Sequence, residues 1–105
     1  MSGELKLRQE NKQEGTCIYI SGEVDIYSSQ GLKEKLYEIV DSSEKDIIFD
    51  CSELNYIDST GLGIFVGALK KAKQNNKRII ITKLKENIKK LFVITGLDKV
   101  FVIEE

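Results

Sequence analysis

Two runs of consecutive apolar residues, 47–49 (Ile-Ile-Phe) and 79–81 (Ile-Ile-Ile), constrain the fold of this chain more than any other feature. Such runs are typical of parallel strands that are buried on both faces. Between them, residues 59–75 have apolar side chains at helical spacing. Because parallel strands require a crossover of about this length, the sequence predicts two central strands, 46–51 and 78–82, joined by a right-handed helix.

Strands and helices alternate through most of the chain, which predicts an α/β fold with helices covering a mostly parallel sheet. The exception is the N-terminal part, where two strands separated by a short polar turn favour an antiparallel hairpin. Gly96 follows the last helical pattern and is well suited to end that helix. The other predicted elements are strands at 4–9 and 17–20 around a turn at 10–15, a helix beginning at Ser28 or Ser29 and continuing through Val40, a helix around Ile88 and Phe92, and a tail at 100–103 that forms an edge strand or packs on the sheet.

The composition limits the size and the partners of the protein. A chain of 105 residues supports one modest core, so we expect a single domain spanning 1–105. The 16 Lys and Arg are balanced by 17 Asp and Glu, which leaves no basic surplus for nucleic-acid binding. No stretch approaches the roughly 18 apolar residues of a membrane span, and residues 1–10 have no apolar run after a basic start. We therefore expect no nucleic-acid or membrane partner, no secretory signal and a cytoplasmic location.

The chain contains no His, which excludes Ser–His–Asp and Cys–His catalytic sets as well as His-ligated metals. Its two cysteines, Cys17 and Cys51, lie in apolar segments without metal-ligand spacing. We expect both to be reduced residues that fill core space, with a redox role or a disulfide as the alternative. No residue pattern points to a metal or a cofactor.

Residues 55–67 are the most informative for function. Ser59 lies where a loop becomes a helix, so its hydroxyl is expected to cap the first turn. A hydrolase nucleophile elbow is excluded because Ile57 replaces its first Gly and no His can serve as the base. A dinucleotide-binding turn matches poorly, since the glycines lie within the helix and Lys83 stands where an acid is needed. A receiver-type phosphoacceptor at Asp50 is disfavoured because the first strand supplies no acidic pair for Mg²⁺.

The glycines within this helix indicate a close approach by another backbone, because Gly costs up to about 1 kcal/mol relative to Ala in a helix. With Leu62, Val66 and Leu69 facing the core, the opposite face is small and apolar, and we predict that it docks a protein. The alternative is a second packing contact within the domain. On the docking interpretation, Arg at position 64 or 67 abolishes binding with little change in melting temperature. The predicted face, which begins at Ser59, contains Thr60, Ile64, Gly67, Ala68 and Lys71 and is flanked by Gly63.

Two loops, 22–27 and 52–60, leave the carboxyl ends of strands, which share one edge in a parallel sheet. Glu23 and Asp25 are therefore expected beside Asp58. These acids are either rim charges for a basic partner or ordinary solvated loop residues.

Three segments together resemble the anti-sigma factor antagonist family, the stand-alone STAS domains of bacterial partner switching. They are 21–27 (Ser-Gly-Glu-Val-Asp-Ile-Tyr), 56–63 (Tyr-Ile-Asp-Ser-Thr-Gly-Leu-Gly) and 94–97 (Ile-Thr-Gly-Leu), and the resemblance extends over nearly the whole chain. Thr60 stands where many members have a second Ser. The central segment is most similar to the branch that controls general-stress sigma factors. The fold implied is a STAS-type mixed sheet of four or five strands packed with α-helices.

The resemblance implies a regulatory binding protein without enzymatic activity. In this family the unmodified antagonist binds an anti-sigma factor that is also a serine kinase, and the sigma factor is released. The kinase uses Mg²⁺ and ATP to phosphorylate the Ser that corresponds to Ser59, with Thr60 as a second choice here, and a PP2C-type phosphatase reverses the modification. The antagonist itself needs no cofactor, and we expect a monomer or a weak dimer.

We therefore predict that the partner contacts the sheet edge and the start of the following helix. Alternative functions are a STAS subunit of a stress-sensing complex or of a lipid-transport system and, in a different class, a small nucleotide-binding domain. The predicted partner-binding residues are Glu23, Asp25, Tyr27, Asp58, Ser59, Thr60, Gly63, Ile64, Gly67, Ala68 and Lys71.

Overall fold

The structure, a computed structural model, describes residues 4–105. Residues 1–3, which belong to the predicted domain 1–105 and to the segment in which we expect no secretory signal, lie outside this range. One five-stranded sheet, ordered β1-β2-β3-β4-β5, packs against the helices. The elements are β1 (Lys6–Asn11), β2 (Thr16–Val24), α1 (Ser29–Ser42), β3 (Ile47–Ile57), α2 (Ser59–Gln74), β4 (Ile79–Thr82), α3 (Glu86–Ile94), a 3-10 turn (Leu97–Lys99) and β5 (Val102–Glu104).

The strand pairing confirms the predicted α/β class with a mixed sheet. β1 and β2 form the expected antiparallel hairpin, with Lys6 opposite Ser21. β2, β3, β4 and β5 then pair in parallel, so the C-terminal tail is an edge strand. Gly96 has φ +77° and follows α3 in the left-handed conformation, which confirms that this residue ends the helix.

The helices cover one face of the sheet. Each crossover moves one strand further in the same direction, so right-handed connections place all three helices on the same side. Phe49 accordingly lies in the core, whereas Ile48 and its strand partner Ile80 are half-buried and lie outside the core. The prediction that both strands are buried on both faces is therefore wrong. Long side chains at the rim, including Arg78 and Lys83, line the same concavity and shield the two isoleucines in place of a second helical layer.

A row of aromatic side chains fixes the helices to the covered face. The Phe65 ring on α2 lies 5.1 Å from Phe49 on β3 and 6.5 Å from Phe92 on α3, and Phe92 lies 5.9 Å from Phe101 near the C-terminus. Such edge-to-face pairs stabilise a core beyond the area they bury. The position of α2, which begins at the candidate site, is thus set by the core.

Cys17 and Cys51 are both buried, and within the described residues they form no disulfide. Burial raises the pKa of the Cys51 thiol, which keeps this thiol protonated and unreactive. The expectation that the two cysteines fill interior space is confirmed.

Candidate functional site

The carboxyl ends of β2 and β3 meet at one edge of the sheet, as predicted, but the predicted loops 22–27 and 52–60 are mostly strand. β2 continues through Val24 and includes Glu23, and β3 continues through Ile57. Val24 and Ile57, the last residues of these strands, are register partners. Just beyond them, the Asp58 N–H donates to the Val24 carbonyl at 3.2 Å. Asp25 and Asp58 therefore follow adjacent strand ends, as the sequence predicted.

The start of α2 is capped by Asp58. Its backbone is extended (φ −105°, ψ −173°), and its carboxylate accepts the Gly61 N–H at 3.1 Å. Ser59 is the first helical residue, so the prediction that Ser59 provides the cap is wrong. The physical reason is that Ser59 already has helical backbone, whereas Asp58 keeps the extended backbone of a cap and its carboxylate reaches the Gly61 N–H.

The Ser59 side chain is consequently left without a structural role. It is exposed, and its hydroxyl makes no hydrogen bond to any residue within 4–105. Thr60, the second choice for modification, is exposed as well. The Ser59 hydroxyl is therefore accessible from solvent in the folded helix.

Replacing Asp58 by Ala is expected to lower the free energy of unfolding by about 1 kcal/mol, because the Gly61 N–H loses its acceptor. Thermal unfolding measures the loss. Asp58→Asn, which keeps an acceptor oxygen, is the matched control and should retain most of the stability. An Asp58→Ala variant as stable as the wild type would contradict this role.

The β2–α1 loop is held by its own polar groups. The Asp25 carboxylate accepts the N–H groups of Tyr27 and Ser28, both at 3.0 Å. In return the Ser28 hydroxyl accepts the Asp25 N–H and donates to the Glu23 carbonyl, each at 3.0 Å. Ser28 precedes α1 but makes no side-chain capping bond, because its hydroxyl is used within the loop. The Asp25 carboxylate thus shapes the loop in addition to contributing negative charge to the edge.

This ordered loop presents two large apolar side chains to solvent. Ile26 is 68% exposed and Tyr27 is 93% exposed, and Tyr56, the register partner of Glu23 on β3, is 48% exposed. Ile26 and Tyr27, adjacent and exposed on this loop, form the kind of apolar surface that is typical of binding sites. Tyr27 is among the predicted partner-binding residues, whereas Ile26 and Tyr56 are not. Tyr56 could have been found by extending the predicted strand beyond Cys51. In the structure β3 does continue there, with Leu54 and Ile57 buried and Tyr56 exposed.

The prediction that the central residues of the α2 docking face are exposed is wrong. Ile64 is only 7% exposed and Ala68 is fully buried, and both belong to the core. The exposed residues are instead Ser59, Thr60 and Gly63, and no heavy atom lies within 4 Å of a Cβ built on Gly63. The first half of α2 is apolar nearly all round, so hydropathy could not indicate which side meets α1.

Gly67 and Lys71 pack against α1 rather than against a partner. A Cβ on Gly67 would overlap the Tyr37 hydroxyl, so the absence of a side chain lets α1 approach. Lys71 forms an ion pair with Asp41 at 3.1 Å, and its ammonium lies 5.4 Å from the centre of the Tyr37 ring. The packing contact within the domain, which was the alternative interpretation of these small residues, is the correct one.

Asp50 lies on the face of the sheet that has no helices. Its carboxylate accepts the N–H and hydroxyl of Ser52 at 3.0 and 2.7 Å and contacts the Lys83 ammonium at 3.4 Å. Burial raises the pKa of this carboxyl, but these three partners outweigh burial and lower the pKa overall. Within residues 4–105 no three potential metal-ligating side chains converge. Asp50 is thus a hydrogen-bonded structural acid.

Comparison with known proteins identifies the family. The sequence profile of the STAS domain matches residues 7–105. This chain belongs to the STAS domain family. Within this family, an anti-sigma-B factor antagonist of Staphylococcus aureus (strain NCTC 8325 / PS 47) is 38% identical over 88 residues, which cover 84% of this chain and 82% of the relative.

Solved structures share the STAS fold seen here. An anti-sigma factor antagonist from Mycobacterium paratuberculosis has a TM-score of 0.87 at 20% identity, covering 97% of this chain and 86% of that one. The Bacillus cell fate determinant SpoIIAA in its phosphorylated form has a TM-score of 0.71 at 21% identity, covering 95% of this chain and 90% of that one. These likenesses confirm the predicted STAS-type sheet and helices.

Proposed function

We propose that this STAS domain is an anti-sigma factor antagonist that is switched by phosphorylation of Ser59. In its unmodified form it binds an anti-sigma factor that is also a serine kinase, and the sigma factor is released. Phosphorylation by this partner, with Mg²⁺ and ATP, ends binding, and a PP2C-type phosphatase restores it. The name of the Staphylococcus relative supports the class of partner. The observation that carries the proposal is the exposed Ser59 hydroxyl at the first residue of α2, at the sheet edge where the β2–α1 loop exposes Ile26 and Tyr27.

The fold tolerates a phosphate at this position. A phosphoserine carries about −1.5 to −2 charges at neutral pH. On Ser59 this charge would lie at the N-terminus of a 16-residue helix, where unpaired N–H groups and the positive end of the helix dipole favour an anion. We therefore infer that the modified domain remains folded and that the switch involves no refolding.

A docked partner would not tolerate the same charge. The phosphate would share the edge with Asp58, Asp25 and Glu23, and it would have to be desolvated against the partner surface. A cost of about 3 kcal/mol weakens binding by roughly a hundredfold. The switch is thus electrostatic and steric.

Tyr27 is the residue we expect to contribute most to affinity outside the α2 start. Aromatic side chains dominate binding energy at interfaces, and this one is nearly fully exposed in the unbound domain. Tyr27→Ala should weaken binding to the anti-sigma factor by about tenfold or more without changing the melting temperature. Titration calorimetry measures the affinity, and Val102→Ala, at the far edge strand β5, is the control. Unchanged affinity of Tyr27→Ala would place the interface elsewhere.

The test of the proposed function is reconstitution with the anti-sigma factor and its sigma factor. Size-exclusion chromatography should show that the unmodified domain displaces the sigma factor and co-elutes with the anti-sigma factor. Preincubation with Mg²⁺-ATP and the kinase should abolish this displacement, and PP2C treatment should restore it. Failure of the unmodified domain to bind would overturn the proposal.

We infer that the protein acts in the cytoplasm, where sigma factors operate, as a monomer or weak dimer. Among residues 4–105 no helix is long and apolar enough to cross a membrane.

A further inference from the structure

The charges of the chain are unevenly distributed. Residues 59–85 contain seven basic residues and no acidic one, although the chain as a whole has a net charge of −1. Three of these cations are neutralised by acids from other segments, through the pairs Lys71–Asp41, Arg78–Asp46 and Lys83–Asp50 at 3.1, 3.1 and 3.4 Å. Lys70 and Lys73, both exposed on α2, form no ion pair with any residue of the described range 4–105. These two lysines are therefore available to a partner.

Lys70 and Lys73 lie on the same exposed stripe of α2 as the modification site. The stripe consists of the exposed residues Ser59, Gly63, Lys70 and Lys73 with the half-buried Val66 between them, and the alternating spacing of four and three residues keeps them on one side of the helix. At about 1.5 Å per residue, Lys70 is about 16 Å and Lys73 about 21 Å along the axis from Ser59. This length fits within one face of a standard protein interface.

We propose that the anti-sigma factor contacts this whole stripe and presents an acidic surface to Lys70 and Lys73. The inference rests on the proposed function for the identity of the partner. The docking surface then has two ends of opposite charge, because Glu23, Asp25 and Asp58 lie at the Ser59 end. Such an arrangement fixes the orientation of the partner and accelerates its association. A phosphate on Ser59 adds negative charge at the acidic end alone.

The test measures how fast the wild type and the double variant Lys70→Glu/Lys73→Glu associate with the anti-sigma factor. Stopped-flow measurements at about 20 mM and about 300 mM salt show how much of the association rate depends on electrostatic attraction between the two proteins, because the higher salt screens exposed charges. The matched control is Lys6→Glu/Lys35→Glu, which makes the same change in net charge in the groove between β1 and α1, on the side of α1 away from α2. Circular dichroism checks that all three proteins are folded.

At low salt the double variant should associate at least about tenfold more slowly than the wild type and should have lost most of its salt dependence. The control should retain the wild-type rate. If the double variant and the control associate equally fast, an acidic partner surface facing Lys70 and Lys73 is excluded, while the proposed function stands. If the wild type itself does not bind, the proposed function fails and this inference fails with it.

Discussion

Ser59→Ala should bind the anti-sigma factor permanently, whereas Ser59→Asp should bind on the order of tenfold to a hundredfold more weakly. The Ala variant keeps the uncharged surface and offers no hydroxyl for phosphorylation, so added ATP should not release it. The Asp variant places a negative charge at the rim of the docking surface, which must be desolvated on binding. Titration calorimetry, with and without Mg²⁺-ATP, measures both effects.

Two controls accompany this pair. Both variants should unfold at nearly the wild-type temperature, because Ser59 is exposed and its side chain makes no bond within the described residues 4–105. Thr60→Ala should bind and be released by ATP as the wild type is, if Ser59 is the acceptor. Equal affinity of Ser59→Ala and Ser59→Asp would refute the charge mechanism.

Ile64→Arg should destabilise the domain by about 3 kcal/mol or more. Ile64 is 7% exposed and belongs to the core, so an arginine there would bury an unpaired charge or displace α1. This reverses the expectation from sequence, which placed the residue on an exposed docking face. Thermal or urea unfolding provides the measurement.

Gly63→Arg is the matched control, because it places the same side chain on the neighbouring residue, where the surrounding space is open. Its stability should be close to that of the wild type, since replacing Gly inside a helix lowers the entropy cost of folding. Its affinity for the anti-sigma factor should nevertheless fall sharply, because Gly63 lies one turn after Ser59 on the exposed stripe. A stable Ile64→Arg variant would contradict the burial of Ile64 and the packing of α1 against α2 described above.

The sheet could be predicted from sequence because its signals are local. The apolar runs 47–49 and 79–81, the polar turn of the hairpin and Gly96 each reveal an element without knowledge of the rest of the fold. The location of the candidate site at the carboxyl ends of β2 and β3 could be predicted too, since parallel strands bring their last residues, here Val24 and Ile57, to the same edge of the sheet.

What could not be predicted depends on packing between elements. An apolar run such as 47–49 does not show whether one or two helical layers cover a sheet, and here only Phe49 and its neighbours on one face enter the core. The first half of α2 is apolar on nearly every side, so its contact with α1 emerged only from the position of Tyr37 over Gly67. The cap is Asp58 rather than Ser59 because the backbone is still extended at Asp58, and two adjacent residues that both cap well do not show in sequence which of them begins the helix.

We propose that a phosphate on Ser59 prevents the partner from occupying the docking surface. The most direct measurement combines mass spectrometry of the domain after treatment with its kinase and Mg²⁺-ATP with calorimetry of the purified product against the anti-sigma factor. We predict one phosphate, on Ser59, and an affinity about a hundredfold below that of the unmodified domain. An unmodified Ser59, or a phosphorylated domain that binds as tightly as before, would contradict the account.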